Sequence, residues 1–377
     1  MSINFVFAMN LLQGISTRST NVILVLYAVE VGAQPLTVGF LAAVFSLFPM
    51  LLAVPAGRLT DRFGAHWLLI FGAAAAGLAM LLPFYFPGLL AIFIAAAVSG
   101  LQVVYYNVSL QNLVGLLSNS QTRARNFSNY SVMGTIGDFI GPLIAGFSID
   151  LSGHGSACLY LALFWLVPIA MLLFRGNTVR GSSHAPARPK GGIRSLLTEP
   201  NIGRTLATSS MLSTGNNLYK IYLPVYARSV GLSASSIGTV LSISAVAEFM
   251  VQLMLPRLIA RFKEEKVLAN TLYIGAASLI LIPFFESFIV LALISFVFGL
   301  GMGCSGPVVN MLMFSNAPKG RSGEALGLKI TVNHLTKMIS PVLFGALGSA
   351  FGLNLMFWLN AVMLASGGVI NRPKKHE

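Results

Sequence analysis

The residues of this sequence with the most evident chemistry are charged side chains inside long apolar segments. Arg18, Lys220 and Lys337 lie in such segments, and so do the acidic residues Asp138 and Glu248. A charge at the centre of a lipid bilayer costs about 3 kcal/mol or more, so it is normally kept for an ion pair, a substrate or a proton pathway. These five residues therefore mark the candidate functional site.

Two interpretations of the basic residues follow from their surroundings. Arg18 lies at the edge of a helical face on which polar or small residues recur every three or four positions, namely Asn10, Gly14, Thr17 and Asn21. Lys220 occupies the corresponding segment of the second half of the chain. Both bases could bind an anionic substrate in a shared cavity. The alternative is that structural carboxylates neutralise them.

Asp138 and Glu248 are the candidate proton carriers. Burial in an apolar medium favours the uncharged form of a carboxyl group, so either residue could take up and release a proton. The rival interpretation is a permanent ion pair with Arg18, Lys220 or Lys337.

The predicted substrate-binding residues are basic, amide and aromatic side chains of the first, fourth, seventh, tenth and eleventh apolar segments. They are Arg18, Asn21, Tyr105, Tyr106, Asn217, Lys220, Asn310, His334 and Lys337. Lys329 lies nearer the end of its segment, where a lysine can extend to the membrane surface. The five histidines and two cysteines are scattered, so we predict no metal site, no cofactor and no enzymatic activity.

The composition of the chain predicts the helices that position these residues. Of the 377 residues, 55% are hydrophobic and only 9% are charged. At about 20 residues per crossing, this length predicts about twelve membrane-spanning helices and an all-α membrane protein. The predicted spans are 4–29, 37–56, 66–86, 88–113, 127–149, 156–174, 205–228, 235–256, 267–284, 288–313, 324–350 and 353–370.

A polar, basic stretch at 175–204 divides the predicted spans into a first bundle at 1–174 and a second at 205–377. The net charge is +13, and basic residues concentrate in the even-numbered connections and the C-terminal tail. Positive loops face the cytoplasm, so we predict a multi-pass protein of the cell inner membrane with both termini inside. The basic excess is therefore a topology signal and does not indicate nucleic-acid binding.

The two halves of the sequence align at a constant offset of 199 residues. Glycine, proline and arginine coincide at element boundaries: Gly32 with Gly231, Gly39 with Gly238, Arg58 with Arg257, Pro142 with Pro341, and Gly146 with Gly345. The coincidence predicts two six-helix bundles related by pseudo-symmetry.

The segment 57–64, Gly-Arg-Leu-Thr-Asp-Arg-Phe-Gly, resembles the cytoplasmic loop signature of the major facilitator superfamily. It departs from that signature at the two following positions, where the family usually has basic residues. The resemblance implies that Asp61 faces the N-terminus of the eleventh helix as a conformational latch. The motif residues are Gly57, Asp61, Arg62 and Gly64.

The fifth segment contains a second motif, at 137–146, which resembles the Gly-x-x-x-Gly-Pro-x-x-Gly-Gly pattern of antiporters and drug exporters of that superfamily. Its candidate residues are Gly137, Gly141, Pro142 and Gly146. Glycines four residues apart allow close approach of another helix, and the proline bends the span, which suits a seam on which the two halves rock.

The resemblance implies a monomeric secondary transporter that works by alternating access around a central site, with a small organic solute, protons and the lipid bilayer as its partners. The sequence favours proton-coupled antiport that exports an amphipathic or anionic compound. Two alternatives stay open, namely proton-coupled uptake of an organic anion and broad-specificity drug export.

Overall fold

The computed structural model describes residues 2–63, 65–119, 121–175, 199–262, 264–317 and 322–371, and all regular secondary structure in these ranges is helical. The α-helices are α1 (Ile3–Glu30), α2 (Pro35–Phe63), α3 (Ala65–Tyr85), α4 (Leu89–Leu116), α5 (Arg123–Phe164), α6 (Leu166–Arg175), α7 (Pro200–Ser229), α8 (Ala234–Phe262), α9 (Glu264–Leu281), α10 (Phe288–Met302), α11 (Ser305–Asn316), α12 (Ser322–Phe351) and α13 (Leu353–Ile370).

Within the described ranges, 8 segments are long and apolar enough to cross a membrane. One of them, 125–174, has 50 residues and holds two crossings, because the backbone turns sharply at Gly153. The long helices outside this set are α1, α7 and α12, which carry Arg18, Lys220 and Lys337. Nine crossings in the apolar segments and three in the polar helices give the predicted total of twelve.

Two predicted boundaries need correction. Helix α2 continues to Phe63, so most of the segment predicted as a loop at 57–64 is helical, and Gly64 lies outside the described residues. The predicted linker 175–204 overlaps α7, which begins at Pro200. Proline suits the first turn of a helix because the N–H that it lacks would have no partner there. Residues 176–198 lie outside the described ranges.

The backbone repeats at the offset seen in the sequence. In the described residues, positive φ angles occur at Gly32 (85°) and Gly231 (86°), and again at Gly153 (82°) and Gly352 (90°). Both pairs are 199 residues apart. Side chains other than glycine rarely adopt this conformation, so the same turns are built by the same residue type in each half. The second pair was visible in the sequence but was not part of the prediction.

The two halves meet through reciprocal contacts of glycine with backbone carbonyl groups. A Cβ atom on Gly39 would collide with the carbonyl oxygen of Pro341, and one on Gly238 would collide with that of Pro142. One turn away, Gly146 packs against Ala234 and Gly345 packs against Pro35. Helix α2 therefore crosses α12 as closely as α5 crosses α8, which is the geometry of two pseudo-symmetric bundles.

Polar contacts reinforce the same end of the seam. The carboxylate of Asp150 accepts hydrogen bonds from the backbone N–H groups of Ala234 (3.0 Å) and Ser235 (2.8 Å) at the start of α8. A carboxylate is favoured there by the free N–H groups and the helix dipole. The Leu36 N–H donates to Ser349 Oγ at 2.9 Å. We call this end, defined by Pro35, Asp150, Ala234 and Ser349, the closed end.

Candidate functional site

A polar cavity lies between the two halves, beyond the closed end. It has one lobe of about 280 Å³ and another of about 710 Å³, and both are lined by Arg18, Asp138, Lys220 and Lys337. The larger lobe extends along α1 past Gly14 to Asn10. Four of the five charged residues singled out from the sequence thus surround both lobes, and Glu248 lines the smaller one.

Arg18 and Asp138 form a two-point ion pair within the first half. Arg18 Nε donates to Asp138 Oδ1 at 2.5 Å and Nη2 donates to Oδ2 at 3.2 Å. Parallel hydrogen bonds between a guanidinium and a carboxylate are among the stronger polar contacts in proteins and fix the relative orientation of the two groups. Asp138 is therefore held by its partner, as the rival interpretation from the sequence expected.

The glycine motif of α5 makes this pair possible. A Cβ atom on Gly137 would lie 2.8 Å from the Cα of Gly14, and one on Gly141 would lie 2.6 Å from the Cβ of Arg18. Only glycine allows α1 and α5 to approach so closely. Gly137 and Gly141 therefore pack within the first half and place Arg18 beside Asp138, whereas Pro142 and Gly146 face α8 across the seam.

Lys220 and Glu248 form the corresponding pair of the second half, with looser geometry. Lys220 Nζ lies 3.4 Å from Glu248 Oε1. Glu248 Oε1 is buried and has no hydrogen-bond partner among the described residues. The contact is therefore a charge interaction without the directional hydrogen bonds of the Arg18–Asp138 pair.

Lys337 differs from the other bases of the cavity because it has no hydrogen bond or ion pair within the part of the chain that the structure describes. Lys329, two turns earlier on α12, donates from Nζ to the neutral Oδ1 of Asn310 at 2.6 Å. It lines the smaller lobe. The expected extension of Lys329 to the membrane surface does not occur in this conformer.

Most of the other predicted binding residues also reach the cavity. Asn21, Asn217, Asn310 and His334 line the larger lobe, and Asn217 lines both. These residues come from α1, α7, α11 and α12, so both halves contribute.

Tyr105 and Tyr106 are the exceptions, because neither lines a lobe of the cavity. Tyr106 is fully buried against Trp165, with 5.6 Å between the ring centroids. Successive residues of a helix point about 100° apart, so the next residue, Asn107, faces the cavity instead. The sequence identified the right helix but the wrong face.

Two amide side chains of the cavity, those of Gln13 and Asn333, were not predicted as binding residues. Gln13 and Asn107 join α1 to α4 by a 3.3 Å hydrogen bond. Asn333 Oδ1 accepts from Ser209 Oγ at 3.0 Å. The spacing of Asn333 from Lys329 and Lys337, four residues to each side, places all three on one helical face and was the available signal.

The predicted latch stays a prediction. The backbone at Gly57, Asp61 and Arg62 belongs to α2, but the side chains at these positions lie outside the described part of the structure.

The family model described as Major Facilitator Superfamily matches residues 6–336 and 205–376 of this chain. An uncharacterised MFS-type transporter of Methanocaldococcus jannaschii is 19% identical over 354 residues, covering 93% of this chain and 92% of the relative. The quinolone resistance protein NorA of Staphylococcus aureus is 23% identical over 365 residues, with 94% and 92% covered.

Solved transporter structures share the fold at low sequence identity. A bacterial homologue of the human lysosomal transporter Spinster, in an inward-facing and occupied conformation, has a TM-score of 0.81 at 12% identity, covering 98% of this chain and 95% of the other. A peptide transporter in complex with sulfate has a TM-score of 0.79 at 16% identity, with 98% and 93% covered.

Proposed function

The chain belongs to the major facilitator superfamily, and we propose that it carries a small organic anion together with protons across the membrane by alternating access through its central cavity. Transport as such follows from the family and from relatives that are transporters along almost their whole length. The substrate charge and the coupling ion are the proposed part.

The observation that carries the proposed substrate charge is Lys337. Its side chain faces the cavity and makes no hydrogen bond or ion pair with the described residues, so it attracts Asp138 only at longer range, while Arg18 and Lys220 each hold a carboxylate. An unpaired positive charge deep in a membrane protein is costly unless a counter-charge reaches it. An anionic solute would supply that counter-charge, whereas a cation would be repelled.

The Lys220–Glu248 pair supports a specific sign for the proposed coupling. Protonation of Glu248 would remove the negative charge that holds Lys220, and Lys220 could then bind an anion. Proton binding therefore promotes anion binding, and by reciprocity anion binding promotes proton binding. The two would cross in the same direction. This geometry favours the alternative of proton-coupled anion uptake over the predicted antiport.

The conformer is consistent with one end state of alternating access. The halves are joined at the closed end by Asp150 and by the contacts of Gly39 and Gly238, and the cavity extends away from that end. With the termini in the cytoplasm, as the distribution of basic residues predicts, this is an inward-facing state.

Drug export by proton antiport is the second candidate. The Gly-Pro seam of α5 contacts α8 directly: Gly238 packs on Pro142, and Ser242 Oγ donates to the Phe139 carbonyl at 2.7 Å. The relative NorA, which aligns with 94% of this chain, is a quinolone resistance protein. An exporter of cations would use Asp138 and Glu248 as its binding charges, although each of them already faces a base.

The test is transport into liposomes that contain a pH-sensitive dye. Organic acids and lipophilic cations are added outside in turn, and entry of solute and interior pH are followed together. We expect acid entry with interior acidification beyond that of protein-free liposomes, and we expect Lys337→Gln to reduce it to the protein-free level. Lys266→Gln, which removes a lysine at the exposed start of α9, is the matched control.

The outcomes separate the candidates. Acid entry with interior alkalinisation would indicate anion–proton antiport and contradict the proposed coupling. Cation entry with interior alkalinisation, unaffected by Lys337→Gln, would establish the drug-exporter function instead.

A further inference from the structure

The charged groups of the smaller lobe do not balance. Its lining includes four bases, Arg18, Lys220, Lys329 and Lys337, and two carboxylates, Asp138 and Glu248. Each carboxylate is paired with one base, so two positive charges remain. Both of these are on α12, where Lys329 has only a neutral amide partner and Lys337 is in longer-range attraction to Asp138, which Arg18 already holds, and makes no ion pair in the described ranges.

We propose that the substrate is an organic dianion, with one acidic group at Lys337 and the other at Lys329. This inference rests on the proposed transport of anions and specifies its substrate class. A monoanion would leave one lysine without a counter-charge inside the membrane-spanning part of the protein, whereas a dianion neutralises both.

The spacing of the two lysines sets the shape of the ligand. They are eight residues apart on one helix, which corresponds to about 12 Å along its axis. Lysine side chains are long and flexible, so the two ammonium groups can approach each other to within several ångströms. Two acidic groups joined by a carbon chain can each contact one ammonium over this range of separations, and the chain length that fits best reports the separation.

Asn333 supplies a donor between the two lysines. Its Oδ1 accepts a hydrogen bond from Ser209, which orients the amide and leaves its N–H groups for the cavity that Asn333 lines. The face Lys329, Asn333, Lys337 thus presents donors at three successive turns and presents no acidic group. Such a row suits an elongated, acceptor-rich ligand.

The neighbouring helix α7, which is hydrogen-bonded to α12 through Ser209 and Asn333, adds unsatisfied polar groups. The Nδ2 of Asn217, the Oδ1 of Asn216 and the Oγ of Ser213 are buried and have no hydrogen-bond partner among the described residues, and all three residues line the smaller lobe. Buried polar atoms normally find partners in protein or water. The Asn217 amide and the Ser213 hydroxyl can donate to an acidic group of the ligand, whereas Asn216 Oδ1 needs a donor such as a ligand hydroxyl group or water.

Binding of matched acids to the purified full-length protein tests the proposal. The probes are linear dicarboxylates from malonate to suberate, each with its monomethyl ester, which has the same backbone but one negative charge. For at least one backbone we expect the diacid to bind about tenfold more tightly than its half-ester, because the half-ester loses one charge-assisted contact.

Variants assign the two acidic groups. Lys329→Gln should lower diacid affinity to that of the half-ester and leave half-ester affinity unchanged, whereas Lys337→Gln should weaken both. Lys329→Arg keeps the charge and should keep the preference for the diacid, which distinguishes loss of charge from misfolding. Lys266→Gln should match wild type.

Three results would overturn the proposal. Equal affinity for diacid and half-ester at every chain length would show that one charge suffices, and the anion-transport function would stand. An equal effect of Lys329→Gln on both ligands would remove Lys329 from the site. If no acid binds while a lipophilic cation does, both the dianion and the anion function fail.

Discussion

The two halves hold their buried carboxylates in different ways. In the first half, Asp138 receives two hydrogen bonds from Arg18, at 2.5 and 3.2 Å. In the second half, Glu248 lies 3.4 Å from Lys220, and Oε1 has no hydrogen-bond partner in the described residues. A planar guanidinium fits a carboxylate at two points, whereas an ammonium is a compact charge on a flexible chain.

This difference separates a structural role from a responsive one. The Arg18–Asp138 pair is fixed by the glycine contact between α1 and α5, so a change in its charge would disturb the packing of the first half. The Lys220–Glu248 pair has no such support from hydrogen bonds and can open at lower cost. We therefore propose Glu248 as the site of proton uptake and a positioning role for Asp138.

The largest effect is expected when the Arg18–Asp138 pair, which we call the tight pair, is broken. Asp138→Asn would leave the Arg18 charge without its counter-ion, and we expect a loss of transport and of about 2 kcal/mol in stability, less than for a fully buried pair because both side chains are partly exposed. Both can be measured, by thermal unfolding in detergent and by solute uptake. The double variant Arg18→Met with Asp138→Leu should regain most of the stability, because apolar groups of similar size replace the whole pair. A stable Asp138→Asn protein would contradict the structural role.

Removing the negative charge of the Lys220–Glu248 pair, which we call the loose pair, should preserve substrate exchange but abolish substrate accumulation. Glu248→Gln mimics the protonated carboxyl, so exchange of substrate across the membrane should continue and become independent of pH. Accumulation driven by a pH gradient should be lost, because the proton carrier is gone. The loss of stability should be smaller than that of Asp138→Asn, since the Lys220–Glu248 contact is longer and Oε1 accepts no hydrogen bond in the described residues. If Glu248→Gln still accumulates substrate, the proton site is elsewhere.

Making the loose pair resemble the tight one should slow transport moderately. Lys220→Arg offers Glu248 a guanidinium that can form parallel hydrogen bonds, which are about twice as strong as neutral ones. A carboxylate that its partner holds more firmly is protonated only at a higher proton concentration, so the ion pair opens less often at neutral pH. We expect uptake about threefold slower at neutral pH, recovering as the pH falls, in a pH profile of initial rates. An unchanged profile would show that opening of this pair does not limit the cycle.

The smallest effect is expected at the third ion pair, at the closed end. Arg228 Nη2 lies 3.1 Å from Glu30 Oε2, and both side chains are well exposed, at 36% and 49%. Exposed pairs contribute about 0–1 kcal/mol, so Glu30→Gln should change stability and uptake within error. Thermal unfolding at low and high salt measures this. A loss similar to that of Asp138→Asn would mean that exposure is a poor guide to the strength of these pairs.

The fold was largely predictable because helix number depends on local composition. Apolar length, glycine and charge located all twelve crossings, and the offset of 199 residues located the repeat. The boundary errors arose where helices continue beyond the apolar core, as α2 does to Phe63. Helical backbone needs no apolar side chains once it leaves the membrane, so hydropathy gives no signal there.

The site was predictable in composition but not in pairing. The sequence singled out Arg18, Lys220, Asp138 and Glu248, yet it could not show which base holds which acid, because partners 120 residues apart meet only after α1 and α5 cross. Orientation around a helix axis was a second limit. Tyr106 and Asn107 are neighbours in sequence, and a rotation of one residue decides which of them reaches the cavity.

The reciprocal contacts of the seam have an evolutionary meaning. Gly39 with Pro341 and Gly238 with Pro142 reproduce the isologous contacts of a symmetric dimer, so the chain is built as a fused homodimer of a six-helix unit. One turn before each proline, the equivalent positions are Asp138 and Lys337, with opposite charges. In an exact dimer, two like charges would face each other beside the closing seam and repel. The opposite charges at this position remove that repulsion, so the symmetric interface can close next to a charged interior.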